Sequence, residues 1–475
     1  MERLQQEIFE RFHKYNQSQI FRFWDTLNKD QQLSLLRQAD RIDMYQLSEN
    51  VNSLLFSDIE KKRYQAANIS PIGYIQLPRD EVSLMKWNNA YQEGEFALHK
   101  HRVAVLTAAG GQGTRLGYEG PKGTFAATPV TNKSLFQVLA EKIKYAEKKY
   151  GYSIPWFIMT SDRNHNETLA FFGKNYSFGL KSVHFIKQDL LPAVDFNGKI
   201  LLENQSTIAM HPDGHGGIFR ALVNSGGFSI LENEGIDIIS YTQVDNPLVN
   251  VIDPSFIGLH VSSGSEMSSR MVFKSFPEER LGVFCNVNNK LSIVEYCDYF
   301  AEKIFSQEYN YSMISRMGNA AIHILNRDFA KKIGKECKKY PLILHPAKKK
   351  IPTINECGES IDPESPNGIK FEKFIFDALQ YAEKTIVVEG NRKEIFSPIK
   401  NAKGLDSPET CKKDQIRLFT KWMVEAGVEI PTNSFGHPPF AIEISPTFAD
   451  NEKDFLNAWN ELPTKPIIGE NKYIE

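Results

Sequence analysis

An α/β fold is expected of this chain: a mixed, mostly parallel sheet covered by helices, with an N-terminal helical extension and a small C-terminal domain. Three observations predict it. Short apolar runs at 103–106, 156–159, 183–186, 236–241 and 271–274 have the length and continuity of buried strands. Between them, 134–148 and 166–175 place apolar residues at helical spacing. The first run leads into a glycine-dense turn, the position at which open α/β sheets bind ligands.

Residues 1–60 carry Phe9, Phe12, Ile20, Phe21, Trp24, Leu27, Leu33, Leu35 and Leu36 at roughly helical spacing among polar positions. They predict a helical extension packed on the main body; a partner-binding helical module is the alternative. The strand–helix alternation starts near Arg102. Asp253-Pro254 has the form of a helix start. Asn286-Val-Asn-Asn-Lys290 predicts a hairpin turn between strands at 283–285 and 291–296. Composition shifts again after Ser397-Pro398. The expected organisation is a mainly helical region over 1–100, a catalytic domain over 101–395 and a C-terminal domain over 396–475. There is no internal repeat.

The 475 residues suit about two or three domains. A formal net charge of −2 gives the whole surface no general pull on nucleic acid or acidic lipid. The five cysteines, Cys285, Cys297, Cys337, Cys357 and Cys411, form no C-x-x-C pair, so reduced thiols are expected rather than a zinc site or a disulfide framework. The start, Met-Glu-Arg-Leu-Gln-Gln-Glu, is too charged for a signal peptide. No apolar run reaches the roughly eighteen residues of a membrane span. A cytoplasmic enzyme is the expectation, with no nucleic-acid or membrane partner.

The most informative segment is Leu106-Thr-Ala-Ala-Gly-Gly-Gln-Gly-Thr-Arg-Leu-Gly-Tyr-Glu-Gly-Pro-Lys-Gly-Thr124. Backbone N–H groups bare of side chains, with Arg115 and Lys122 beside them, suit a polyphosphate. Two familiar phosphate loops do not fit. A dinucleotide fingerprint begun at Gly111 has Leu116 where its third glycine belongs, which disfavours an oxidoreductase. A Walker loop needs glycine before its lysine, and Pro121 stands there.

Further segments carry chemistry. Gln188, in Phe185-Ile-Lys-Gln-Asp-Leu-Leu-Pro-Ala193, has a carboxamide that can donate and accept, matching the N3–H and O4 edge of uracil; alone it reads equally as a polar loop residue. His211-Pro-Asp-Gly-His-Gly-Gly217 is a second glycine-rich loop. Asp245, in Thr242-Gln-Val-Asp-Asn-Pro-Leu248, follows an apolar run. It is a hard oxygen ligand placed for Mg2+, or else a cap on the next turn. Lys348-Lys-Lys350 reads as a solvated run.

The pattern Gly-Gly-x-Gly-Thr-Arg-Leu-Gly with a following Pro-Lys is similar to that of sugar nucleotidyltransferases. Over 102–403 the chain most resembles the UDP-N-acetylglucosamine pyrophosphorylase branch of the UDP-sugar pyrophosphorylases. That resemblance implies a Rossmann-like, GT-A-like nucleotidyltransferase fold. It also implies the reaction of UTP with a sugar 1-phosphate, Mg2+ as cofactor, and a monomer or homodimer. It places Ala109, Gly110, Gly111, Gln188, Gly214 and His215 at the nucleotide. Arg115 would meet the departing phosphates, Lys122 the α-phosphate, Lys400 of Phe396-Ser-Pro-Ile-Lys-Asn401 the sugar phosphate, and Asp245 the metal.

The sugar would meet Gly282, Glu295 and Asn319. Phe374 and Phe376 of Pro366-Asn-Gly-Ile-Lys-Phe-Glu-Lys-Phe-Ile-Phe-Asp377 would surround its acetyl methyl, although the residues alone read as core packing. The chain departs from the pattern at His215, where N-acetylglucosamine enzymes carry asparagine and glucose-type enzymes commonly carry Gly-His-Gly. A UDP-glucose or broad UDP-sugar pyrophosphorylase is therefore the alternative activity. A nucleotide-sugar-binding protein without catalysis is the alternative class.

Overall fold

The computed structural model describes residues 2–52, 68–295, 313–466, 468–469 and 471–475. Ten of its strands form one sheet: β1 (Ile69–Ser70), β2 (Val103–Ala108), β3 (Trp156–Thr160), β4 (Val183–Lys187), β5 (Ile238–Gln243), β6 (Met267–Phe273), β7 (Val283–Val287), β8 (Lys290–Val294), β9 (Met317–Asn326) and β10 (Thr385–Glu389). β4, β3, β2 and β5 are parallel neighbours in that order. β9 then runs antiparallel between β5 and β6, and β10 lies parallel beside β6. β7 joins the early part of β9 and carries β8 and β1. This is the mixed, mostly parallel α/β sheet that the sequence predicts.

The sheet is buried on both faces. In β2, Val103 and Val105 join the core on one side, with Leu139, Ile143 and Trp156; Ala104 and Leu106 join the other, with Phe219, Leu222 and Tyr241. That is why β2 reads as a continuous apolar run rather than an alternation. Helix Leu135–Tyr150 starts where Ser134 accepts the Gln137 N–H at 3.1 Å. Asp253 caps helix Pro254–Ser263 in the same way, with proline at its first turn.

Two predicted elements differ in detail. The run at 271–274 is only the end of β6, which begins at Met267. Its polar start is hidden: Ser268 pairs with His260 and Ser269 with His323, each at 2.8 Å and each buried. Polar residues satisfied inside a sheet defeat a hydrophobic pattern. The hairpin turn is tighter than expected, with Asn288 and Asn289 at φ 51° and 64°, as a two-residue turn requires. Of the calculated extents, Tyr296, Cys297 and residues 53–60 lie outside the described residues.

Helices Glu2–Lys14, Lys29–Asp40 and Met44–Val51 and the short helical turn Ser18–Phe21 bury Phe12, Ile20, Leu35 and Leu36 against Val194, Ile208, Leu344 and Phe371 of small antiparallel ladders beside the main sheet. Helix Glu81–His99 packs instead in the main core, where Trp87 and Leu98 share a cluster with Phe256. Towards the C-terminus, helices Pro408–Glu425 and Glu452–Glu461 close around Trp422, Phe455 and Trp459, and Leu248 joins them. No helix among the described residues is long and apolar enough to cross a membrane.

Candidate active site

β2 has β3 on one side and β5 on the other, so chain order reverses across it. A crevice opens outside the carboxyl ends of two such strands. The loop after β2 and the residues after β5 both leave into it.

The loop after β2 is tied down through its carbonyls. Buried Asn164 donates to Ala109 O at 2.8 Å and to Gly111 O at 3.2 Å, and Ser161 Oγ donates to Gly110 O at 2.8 Å. Ala109 donates its own N–H to Met159 O at 2.8 Å. Among the described residues, the N–H groups of Gly110 and Gly111 donate to nothing. At Gly111 a Cβ would meet nothing within 4 Å, so this stretch of backbone faces open space. Tied carbonyls and free N–H groups make a cradle for an anion.

The charges meet at the end of β5. Lys122 Nζ lies 2.9 Å from Asp245 Oδ2, and each side chain is only 13% exposed. Burial alone would push the Asp245 carboxyl up. The fields of Lys122, Lys400 and Arg115 outweigh it and hold the group below the ordinary carboxylate range. Arg115 is exposed and has no hydrogen bond or ion pair among the described residues. Lys400 lies with its ammonium 5.6 Å over the Phe396 ring.

Its placement comes from the residues just after β5: Ile399 donates to Asp245 O at 2.9 Å. Asn246 accepts the Ser397 N–H at 3.1 Å and donates to Ile395 O at 2.7 Å. Lys400 and Asp245 line one pocket together with Asn319 and Phe396. Among the described residues no group of three or more His, Cys, Asp or Glu could hold a metal by itself. A lone ionised carboxylate does suit Mg2+, which usually takes one or two protein carboxylates and completes its shell with phosphate and water.

On the other side of the crevice, Gln188 is 5% exposed. Its Nε2 makes long hydrogen bonds to Gly214 O at 3.3 Å and Asp213 Oδ1 at 3.5 Å. Its Oε1 accepts none among the described residues, and it sits so close to Gly110 that a Cβ there would come within 2.1 Å. The amide thus shows the crevice an acceptor, not the donor–acceptor pair expected from sequence. Gly214 has φ 87°, and a Cβ there would come within 2.4 Å of Lys373 O. The second glycine-rich loop is therefore pressed onto strand Gly368–Lys373.

His215 Nδ1 accepts the Ile375 N–H at 3.2 Å. A backbone N–H can only donate, so the neutral ring carries its proton on Nε2. Burial lowers this histidine to about 4, so the neutral form prevails at neutral pH.

The residues expected around a sugar fall into two groups. Asn319 donates its N–H to Gly282 O at 2.8 Å, and a Cβ on Gly282 would come within 2.5 Å of Glu295 Oε1. Phe374 stacks with His215, centroids 5.0 Å apart, and with His345, 4.2 Å apart. Phe376 is buried, with its ring 5.8 Å from that of His215. Of the expected residues, Asp245, Asn319 and Lys400 line one pocket, Lys122 reaches it through its ion pair with Asp245, and Gln188 lies against Gly110 and Gly214. Sequence reasoning passed over Asn164, Asn246, Asp213 and Lys373, which tie those loops. Asp213, Asn246 and Lys373 had a signal, their places inside the 211–217, 242–248 and 366–377 segments; Asn164 had none.

The family described as UTP–glucose-1-phosphate uridylyltransferase matches residues 52–411. The human UDP-N-acetylhexosamine pyrophosphorylase-like protein 1 is 32% identical over 474 residues, covering 93% of this chain and 92% of its own. The UDP-N-acetylglucosamine pyrophosphorylase of Saccharomyces cerevisiae is 33% identical over 433 residues, covering 88% and 90%. Among solved structures, the uridine diphosphate N-acetylglucosamine pyrophosphorylase of Trypanosoma brucei, in complex with an inhibitor, superposes with a TM-score of 0.79. It is 25% identical and covers 98% of this chain and 97% of its own.

Proposed function

The chain belongs to the UTP–glucose-1-phosphate uridylyltransferase family, and on that premise we propose that it joins UTP to N-acetylglucosamine 1-phosphate, giving UDP-N-acetylglucosamine and pyrophosphate. A phosphate oxygen of the sugar ester attacks the α-phosphorus of UTP. The bond from that phosphorus to the α,β-bridging oxygen breaks, and its electron pair leaves on pyrophosphate. The attacking phosphate is already an anion near neutral pH, so no protein base has to take a proton. The demand is for positioning and for fixed positive charge around polyanions.

The observation that carries the reading is the meeting of cations at Asp245: Lys122 lies 2.9 Å from it, Lys400 lines the same pocket, and both fields, with that of Arg115, lower its carboxyl. Lys122 serves as a point charge at the α-phosphate, and the planar fork of Arg115 holds the departing phosphates. Lys400 takes the sugar phosphate. Mg2+ held by Asp245 and triphosphate oxygens would neutralise phosphate charge. The backbone of Ala109, Gly110 and Gly111, with Gln188, Gly214 and His215, receives the nucleotide. Gly282, Glu295, Asn319, Phe374 and Phe376 receive the sugar. The names borne by the relatives support an acetylated sugar.

A second reading keeps the chemistry and relaxes the sugar to glucose or to several sugars. It is favoured by His215, whose ring lies against Phe374 at an interplanar angle of 14° and takes up one aromatic surface. An acetyl methyl in an apolar pocket is worth only about 1–3 kcal/mol of discrimination. The test is pyrophosphate release from UTP and Mg2+ with the 1-phosphates of N-acetylglucosamine, N-acetylgalactosamine and glucose. The expected result is the highest kcat/KM with N-acetylglucosamine 1-phosphate. A clear preference for glucose 1-phosphate transfers the case to the second reading, and no release with any ester defeats both.

A further inference from the structure

We propose that Asp213 fixes which way the Gln188 amide faces, and thereby which pyrimidine the site accepts. The inference rests on the reading of Gln188 as a contact to the base. The amide nitrogen of Gln188 has two oxygen neighbours, Asp213 Oδ1 at 3.5 Å and Gly214 O at 3.3 Å. Only an NH2 group satisfies two acceptors. Turned over, the amide would set its own oxygen against a carboxylate and a carbonyl. Oε1 is therefore held outward, beside Gly110.

Uracil carries a hydrogen on N3, and an outward oxygen accepts it. Cytosine N3 is a bare lone pair, and the same oxygen repels it. The base is thus selected by a charge that the base never touches, which makes Asp213 a positioning residue.

The Asp213 side chain has little freedom to do otherwise. The residue is wholly buried. A Cβ built on Gly217 would come within 2.0 Å of its Oδ1, so the backbone of that turn already crowds the carboxylate. Among the described residues its Oδ2 accepts no hydrogen bond, and Lys373 Nζ lies 3.6 Å from it. Burial raises the carboxyl to about 6, partly offset by Lys373. A carboxylate kept at a site this costly for packing alone is consistent with an orienting task.

The experiment measures initial rates with UTP and with CTP, N-acetylglucosamine 1-phosphate being the other substrate. It compares the unaltered protein, Asp213→Leu, Gln188→Leu and the double variant. Asp213→Leu is expected to lower the ratio of kcat/KM for UTP to that for CTP by about tenfold or more, mainly through KM, because an orienting hydrogen bond to a charged group is lost. In the Gln188→Leu background it is expected to add nothing. A merely structural role would lower both nucleotides alike.

If Asp213→Leu fails to fold, Asp213→Asn takes its place: its amide can offer oxygen or nitrogen, so a smaller fall in the same direction is expected. The proposal is overturned if Gln188→Leu collapses the ratio while the foldable Asp213 variant leaves it within about twofold. If Gln188→Leu itself leaves the ratio unchanged, the base-contact reading falls first, and the proposal with it.

Discussion

Lys122 and Asp245 close a 2.9 Å ion pair between the loop after β2 and the loop after β5. The two strands are parallel neighbours, so the pair bridges the mouth of the crevice. Neither partner is spent on it: both belong to the group of charges that the phosphates would enter.

Replacing Lys122 with alanine is expected to lower kcat by about 10²–10³-fold, the usual cost of losing one preorganised charge at a reacting centre. The KM for the sugar phosphate should move much less. Asp245 would also lose its nearest cation while still buried, so the melting temperature should fall. Initial rates and a thermal melt of the same preparation test both statements, and full turnover by the variant would remove Lys122 from the reaction.

Gly110 and Gly111 should respond differently to alanine. At Gly110 the new Cβ meets Gln188 Oε1 at 2.1 Å; at Gly111 it meets nothing within 4 Å. Both changes are expected to raise the KM for UTP, the first by displacing Gln188 and the second by standing where the nucleotide lies. Only Gly110→Ala should also lower stability, by about 1–3 kcal/mol from overpacking. Equal melting temperatures for the two variants would contradict this account of the loop.

Acid should destabilise the fold well before carboxylates begin to protonate generally. Burial, foremost, lowers His211, His215 and His260 to about 4 and His323 to about 3. These are bases with depressed folded pKa values. Below about 6.5 the unfolded chain takes up protons that the folded chain refuses. Their contribution is complete above that pH and is lost progressively towards pH 4.

Asp213, raised to about 6, acts in the opposite sense: the folded state holds its proton more tightly, so acidification through 6 adds stability there. Burial also lowers His165 and His184 and raises Asp406 and Asp450, so three aspartates oppose six histidines. The melting temperature is expected to drop between pH 7 and pH 5, and His323→Asn should make the slope shallower. A flat or rising profile over that range would refute it.

The sheet was legible because its parallel strands are buried on both faces and so leave uninterrupted apolar runs, as β2 and β3 do. β6 was only half legible, since Ser268 is satisfied by His260 of the preceding helix and Ser269 by His323 of β9. The loop after β2 stood out because its glycines and cations crowd one short stretch, Gly110–Lys122. Its anchors did not: Asn164 lies 55 residues from Ala109, whose carbonyl it holds, and nothing in its own surroundings marks it. Gln188 drew notice for its chemistry, but its neighbours Asp213 and Gly214 are brought to it only by folding.

The segment carrying Lys400 hangs from Asp245 and Asn246 by main-chain and amide bonds at Ile395, Ser397 and Ile399. Two groups suspended from a common peg keep their mutual spacing however the structure beyond them sways. Movement of the C-terminal helices would then leave the spacing between Asp245 and the Lys400 segment unchanged.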